Sequence, residues 1–252
     1  MQGGPGGCAG EPEGQRGTRG SEGHRGARGV RLGAALFNGD HGRLAEEVAR
    51  LQGAGLDFVH LDVFDGYFVP DIGFSPRTIS TLRPLTRLPF EVHMGVAEPL
   101  RFLPALAEAG VDLIIFHIES TPMPFETLFA IRSRGLRAGV ALSLGTPLST
   151  LEPLAGSMDA CLLLSRVTGE GTRGATFNRA VLPRIRAARQ MLSGRETACD
   201  LQAAGGINRS NAASLAAAGA GSLTLGSGIY SVPDMAREVA EVRSMANDAD
   251  VA

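Results

Sequence analysis

The sequence predicts a single-domain (β/α)8 (TIM) barrel preceded by a tail. Three observations carry that prediction. From Val30 onward, short apolar runs alternate with helix-forming stretches. Eight such runs occur, each followed by a helical segment, and that order argues for a parallel sheet closed on itself. A punctuation also repeats. Ala54-Gly55-Leu56-Asp57, Ala109-Gly110-Val111-Asp112 and Ala218-Gly219-Ala220-Gly221 each place Gly where a helix stops before the next strand. A length of 252 residues suits one such barrel or two small domains. An open doubly wound sheet is the alternative reading of the alternation.

The elements follow in order. Strands are expected at Val30–Phe37, Phe58–Asp62, Pro89–His93 and Asp112–His117, then at Arg137–Ser143, Ala160–Leu164, Ala198–Ala203 and Ser222–Leu225. Amphipathic or alanine-rich segments fill the intervals. The first four are Gly42–Gln52, Ser75–Leu82, Pro99–Ala109 and Pro124–Ser133. The last four are Leu148–Pro153, Asn178–Leu192, Asn208–Ala217 and Pro233–Ala246.

Residues 1–30 differ in composition. Eleven are glycine, with Arg16, Arg19, Arg25 and Arg28 interspersed and no apolar periodicity. Such a segment buries too little surface to offset its ordering entropy, so a disordered Gly/Arg-rich tail is expected, with the barrel at 31–252. It lacks the apolar core of a secretory signal. A transit peptide is opposed by Glu11, Glu13, Glu22 and the glycines.

Composition excludes several classes. A net charge of -2 gives no reason to expect nucleic acid or an anionic membrane as a partner. No apolar run approaches the ~18 residues of a membrane span. All 24 basic side chains are arginine, so Schiff-base and P-loop lysine chemistry are absent. Cys8, Cys161 and Cys199 do not form a disulfide framework. The last two read as reduced core residues of a cytoplasmic protein.

The C-terminal strand ends form the active face of such a barrel. Strand 2 ends in His60 and Asp62, which share a face because side chains alternate along a strand. Strand 3 ends in Glu91-Val92-His93 and strand 4 in Phe116-His117-Ile118-Glu119. Imidazoles and a carboxylate converging there suit a divalent cation such as Zn, Mn or Fe(II), held by His60, Asp62 and His93. His117 is either a further ligand or a group that holds the ligands in place. Strands 7 and 8 end in Ala204-Gly205-Gly206-Ile207-Asn208 and Gly226-Ser227-Gly228-Ile229-Tyr230. Their backbone N–H groups suit a phosphate, with Gly205, Gly206, Gly226 and Ser227 as the contacts.

The same residues carry a family resemblance. His60-Leu61-Asp62-Val63-Phe64-Asp65-Gly66-Tyr67-Phe68-Val69-Pro70 resembles the HxDVMDGxFVPN signature of ribulose-phosphate 3-epimerases. Glu91-Val92-His93-Met94, Phe116-His117-Ile118-Glu119, Gly145-Thr146-Pro147 and Gly226-Ser227-Gly228-Ile229-Tyr230 resemble its DVHLM, FHxE, GTP and GSAIF segments, in the same order along the chain. The resemblance implies a metal-dependent inversion at C3 of a ketose phosphate of the ribulose 5-phosphate/xylulose 5-phosphate type, through an enediolate. It implies Asp62 as one catalytic carboxylate and as a ligand beside His60 and His93. Substrate contacts are implied at Asn38, His93, Gly174, Gly205, Gly206, Gly226 and Ser227. A homo-oligomer acting on a small sugar phosphate is expected.

The sequence also departs from that pattern. Ala204 stands where the family has its second catalytic aspartate, also a ligand. Asn38 replaces a serine, and Phe64, Gly95 and Ser165 replace methionines over the reacting carbon. Glu170, in a longer strand-6 loop, is the candidate replacement acid, and Asp200 is a weaker one. Two other readings remain open: a one-base isomerase or lyase on a related sugar phosphate, and a non-catalytic sugar-phosphate binder.

Overall fold

The computed structural model describes residues 29–166, 176–194 and 198–249. Eight parallel strands close in sequence order, β1-β2-β3-β4-β5-β6-β7-β8, with β1 paired to β8. They are β1 (Arg31–Ala35), β2 (Phe58–Phe64), β3 (Phe90–Gly95), β4 (Leu113–His117), β5 (Arg137–Leu142), β6 (Ala160–Leu164), β7 (Asp200–Ile207) and β8 (Ser222–Leu225). The helices are α1 (Leu44–Gly53), α2 (Pro76–Leu82), α3 (Leu103–Glu108), α4 (Pro124–Arg132), α5 (Val181–Leu192), α6 (Arg209–Ala217) and α7 (Met235–Asp248). The open-sheet alternative is thereby removed. Among the described residues, no helix is long and apolar enough to cross a membrane.

Local chemistry explains the boundaries. Ser75 caps α2, accepting from the Thr78 N–H at 3.1 Å, with Pro76 in the first turn. Asn208 and Asn211 form a reciprocal cap at the start of α6. The stretch after β5 forms a 3-10 segment, Leu148–Leu154, rather than an α-helix, because Pro153 lies inside it. The stop glycines Gly55, Gly110 and Gly219 sit at φ 77, 80 and 106.

Strand β7 runs past the expected end at Ala203. Its register to β8 shifts between Ala204 and Ile207, so Gly205 and Gly206 form a bulge rather than a loop after the strand. Their φ values of 108 and 65 require glycine there. The strand also starts at Asp200, which leaves Cys199 outside it and half-buried. Val30 lies before β1 but is buried, and its N–H donates to Asn247 Oδ1 at 2.8 Å.

Two apolar layers hold the barrel. The larger lies between the outward strand faces and the helices, and it contains Leu32, Val59, Val92, Ile114, Val140, Leu163, Leu201 and Leu223. The smaller lies inside and is one-sided: Leu113, Ile115, Ala141, Ala160, Leu162, Leu164 and Ala204. Elsewhere the interior carries a polar network. At the floor, Arg31 pairs with Asp200 at 3.1 Å and Glu91 at 3.3 Å, and its guanidinium lies over the Phe58 ring. Gln202 Nε2 donates to both carboxylates, and Ser222 Oγ donates to Asp200 at 2.8 Å. Burial raises the Glu91 carboxyl, against the pull of Arg31. Phe58 fits at this level because residue 33 is glycine. A Cβ there would stand 2.1 Å from the ring.

Candidate active site

The site is built at the C-terminal ends of β2, β3 and β4. His60, Asp62, His93 and His117 are all inward-facing and buried. The strand period of two puts His60 and Asp62 on one face, and the β2–β3 register sets His93 opposite Asp62. Asp62 Oδ1 lies 2.9 Å from His93 Nδ1 and 3.5 Å from His60 Nε2. One donor atom each from His60, Asp62 and His93 falls within 4.8 Å of the others. Donors bound at ~2.1 Å in octahedral or tetrahedral geometry stand about 3.0–3.4 Å apart. The two separations from Asp62 Oδ1 lie close to such edges, and the nitrogen/oxygen donor set suits a divalent cation of the zinc, manganese or iron type.

The electrostatics agree with an anionic base among imidazoles. Burial alone would raise the Asp62 carboxyl. The charge of His60 and the hydrogen bonds of His60 and His93 outweigh it and hold the group well below the carboxylate range. His93 is pushed down to about 4, chiefly by burial and by His117, against its bond to Asp62. It is therefore neutral at pH 7 and has a lone pair available to a cation.

His117 does not join the cluster. Its Nε2 lies 2.9 Å from His93 Nε2, and its Nδ1 lies 2.9 Å from Glu119 Oε2. Its ring is thus engaged by His93 and Glu119 and stands apart from the three clustered donors. Glu119 also accepts from Ser143 N–H at 2.8 Å and from the Thr146 hydroxyl. Burial would raise its carboxyl, but these bonds bring it down to about 2. Aromatic rings cover the row. Phe64 meets His93 edge-on and Phe68 leans over His117. A Cβ at Gly95 would stand 2.8 Å from the Phe64 ring, so phenylalanine at 64 needs glycine at 95.

A cavity of about 570 Å³ opens from this cluster toward β6, β7 and β8. Its walls include Asn38, Gly205, Gly206, Gly226 and Ser227, all expected from the sequence. Asn38 is oriented by a bond from Nδ2 to the Ala35 carbonyl. Ala204 also lines the cavity, beside the glycine bulge. Asp200 does not, being tied to Arg31 and Ser222 at the floor. Glu170 and Gly174 lie outside the described residues. Cys161 is a core thiol, pushed up to about 12 by burial.

Several wall residues escape the sequence reading. Thr224 approaches His60 Nδ1 at 3.5 Å. Its signal was present, since it alternates with Leu223 and Leu225 and must face inward. Arg166 and Arg179 also line the cavity. They flank the strand-6 loop, and cations on either side of an active-face loop were the available signal. Ser165 is buried, donating to the Ala204 carbonyl at 2.9 Å rather than facing a ligand.

Comparison with known proteins places the chain in a family. The model of the ribulose-phosphate 3 epimerase family matches residues 31–230. The chain is 33% identical to ribulose-phosphate 3-epimerase of Bacillus subtilis over 216 residues, covering 85% of this chain and 98% of that protein. It is 36% identical to the Synechocystis enzyme of the same name, covering 83% and 91%. It is 33% identical to the chloroplastic ribulose-5-phosphate-3-epimerase of Arabidopsis thaliana, covering 86% and 78%. Among solved structures, orotidine 5'-phosphate decarboxylase from Pyrococcus horikoshii superposes with a TM-score of 0.61 at 16% identity, over 85% of this chain and 98% of the other. Phosphoribosyl anthranilate isomerase from Thermus thermophilus gives 0.59 at 17% identity, over 86% and 98%. Those two likenesses concern the barrel alone. The match over nearly the whole barrel and the identity to curated relatives show that this chain belongs to the ribulose-phosphate 3-epimerase family.

Proposed function

We propose that this chain is a metal-dependent epimerase that inverts C3 of a ketopentose 5-phosphate of the ribulose/xylulose type. The observation that carries the reading is the convergence of His60, Asp62 and His93 beside a cavity lined by Gly205, Gly206, Gly226 and Ser227. Family relatives bearing the epimerase name support it.

The C2 carbonyl of such a substrate acidifies the neighbouring C3 proton. Asp62, ionised and buried, is the group that accepts that proton. His60, Asp62 and His93 would hold a divalent cation, which would supply Lewis-acid charge stabilisation to the developing negative charge. Backbone N–H groups at the β7 bulge and after β8 bind the phosphate, and Arg166 and Arg179 add positive charge to the same wall. Asn38 fixes the substrate from the β1 side. Phe64 and Phe68 exclude water from the imidazole row.

The return of a proton to the opposite face needs a second acid, and the methyl of Ala204 cannot serve. Glu170 is the proposed donor. Ala204 in the cavity wall also favours a second reading, a one-base isomerase or lyase acting on a related sugar phosphate.

Ribulose 5-phosphate in deuterium oxide separates the two. The expected result with manganese-loaded protein is deuterium at C3 together with xylulose 5-phosphate, both lost on chelation. Exchange without inversion would establish the one-base reading. No exchange with retained binding would show a binder and sink both.

A further inference from the structure

The barrel closes where β8 pairs with β1, and the loops after these two strands carry different parts of the site. Gly226, Ser227 and Gly228 line the cavity from the β8 side, and Ala35 and Asn38 line it from the β1 side. One atom ties the two loops together. The Ala35 carbonyl oxygen accepts from the Tyr230 hydroxyl at 3.0 Å and from Asn38 Nδ2 at 3.3 Å.

Tyr230 is itself held at both ends. It follows the 3-10 turn Ser227–Ile229, and its N–H donates to the Ser227 carbonyl at 3.1 Å. Its ring is half-buried against the apolar core and lies along the β1 loop, where a Cβ at Gly39 would stand 3.1 Å from Tyr230 Cε1. A carbonyl oxygen only accepts, so the Asn38 atom facing Ala35 is the amide nitrogen, and the amide cannot turn over without losing the contact. Oδ1 and the second Nδ2 hydrogen remain for a ligand hydroxyl. Both partners of the carbonyl also depart from the family pattern. Asn38 stands in place of a serine, and Tyr230 closes a segment that in GSAIF ends in phenylalanine, which has no hydroxyl. The two departures meet on one oxygen.

We propose that Tyr230 is a positioning residue that sets the Asn38 amide relative to the phosphate-binding loop after β8. It acts through the Ala35 carbonyl rather than on the ligand. The hydroxyl fixes that carbonyl against the β8 loop, and Asn38 takes its orientation from the same carbonyl. The spacing between the phosphate end of the substrate and the hydroxyl met by Asn38 is thereby set by one bond across the closing seam. The inference rests on the reading of Asn38 and the β8 loop as substrate contacts given above.

A double-mutant cycle tests it. Apparent affinity for ribulose 5-phosphate is measured by calorimetry on manganese-loaded unmodified protein, Tyr230→Phe, Asn38→Ala and the double variant, each with a thermal melt. Tyr230→Phe keeps the ring on the β1 loop and removes only the hydroxyl. It should weaken binding about 3–10-fold, the range of one neutral hydrogen bond. With Asn38 already alanine, the same change should cost less than about twofold, because the two side chains act as one unit. A second reading needs no ligand: nitrogen-15 relaxation of the Asn38 side-chain amide should report a more mobile group in Tyr230→Phe than in the unmodified protein. Equal losses of affinity in both backgrounds would overturn the inference, since Tyr230 would then serve the β8 loop alone. So would an unchanged affinity in Tyr230→Phe, or an Asn38 amide whose mobility does not respond. If the unmodified protein does not bind ribulose 5-phosphate, the proposed substrate is wrong, and the amide relaxation still decides whether Tyr230 positions Asn38.

Discussion

The stem of Arg166 lies on Gly205: a Cβ built at residue 205 would stand 3.0 Å from Arg166 Cγ. The glycine bulge of β7 and the cation at the end of β6 are therefore one construction. Ser165 reinforces it, donating from its N–H to the Ala204 carbonyl at 2.8 Å. The contact holds Arg166 along the wall where the phosphate is proposed to sit.

Arg166→Met should keep the stem packing and remove the charge. A hydrogen bond to a charged group contributes ~1.5–3 kcal/mol, so KM for the ketose phosphate should rise about ten- to hundredfold with a smaller change in kcat. Steady-state kinetics at low and high salt check this. An unchanged KM would assign Arg166 to packing alone.

Acid stability supplies a separate test at the β2–α2 loop. Asp65 accepts from the N–H groups of Tyr67 at 2.9 Å, Phe68 at 2.8 Å and Ala97 at 2.8 Å. Desolvation would raise its carboxyl, but these bonds hold it below the ordinary 3.8. A group depressed in the folded state stabilises the fold above its unfolded pKa and loses that contribution as pH falls through the folded value. Asp65→Asn should therefore melt lower at pH 7 and lose less further stability below pH ~4 than the parent. Parallel melting curves across that range would show that the loop does not depend on the carboxylate.

The legible parts of this molecule were those set by local period. Alternation along β2 put His60 and Asp62 on one face, and the same rule could have found Thr224. The stop glycines marked helix ends because a left-handed residue is a local requirement. Contacts set by neighbouring strands were not legible. Arg166 meets Gly205 through the β6–β7 register and a bulge, and neither has a sequence period. Glu119 could be seen beside His117, but its bonds to Ser143 and Thr146 depend on how β5 ends. Asp200 read as a reserve acid because the polar floor that engages it draws on five strands, from Arg31, Glu91, Gln202 and Ser222 to Phe58 beneath the guanidinium.

The missing acid gives the last prediction. Ala204 pairs with Leu164 of β6 and Thr224 of β8, and its methyl lines the cavity shared by His60, Asp62 and His93. Ser165 fixes the backbone there, so a longer side chain at 204 would project into the same space. Ala204→Asp should add a carboxylate ligand on the β7 side and an acid facing Asp62 across the substrate. A positioned acid or base contributes ~10²–10⁴-fold, so the rate with ribulose 5-phosphate should rise by about that factor and metal affinity should tighten. The unmodified chain should be slow, because the methyl of Ala204 offers no acid on the β7 side and Glu170 is only the proposed substitute. Glu170→Gln should abolish that slow rate yet matter little in the Ala204→Asp background. Full-speed epimerisation by the unmodified chain would mean that another residue already fills the acid's place. An Ala204→Asp variant with unchanged rate and affinity would mean that the roof, remodelled at Asn38, Phe64 and Gly95, accepts a different substrate.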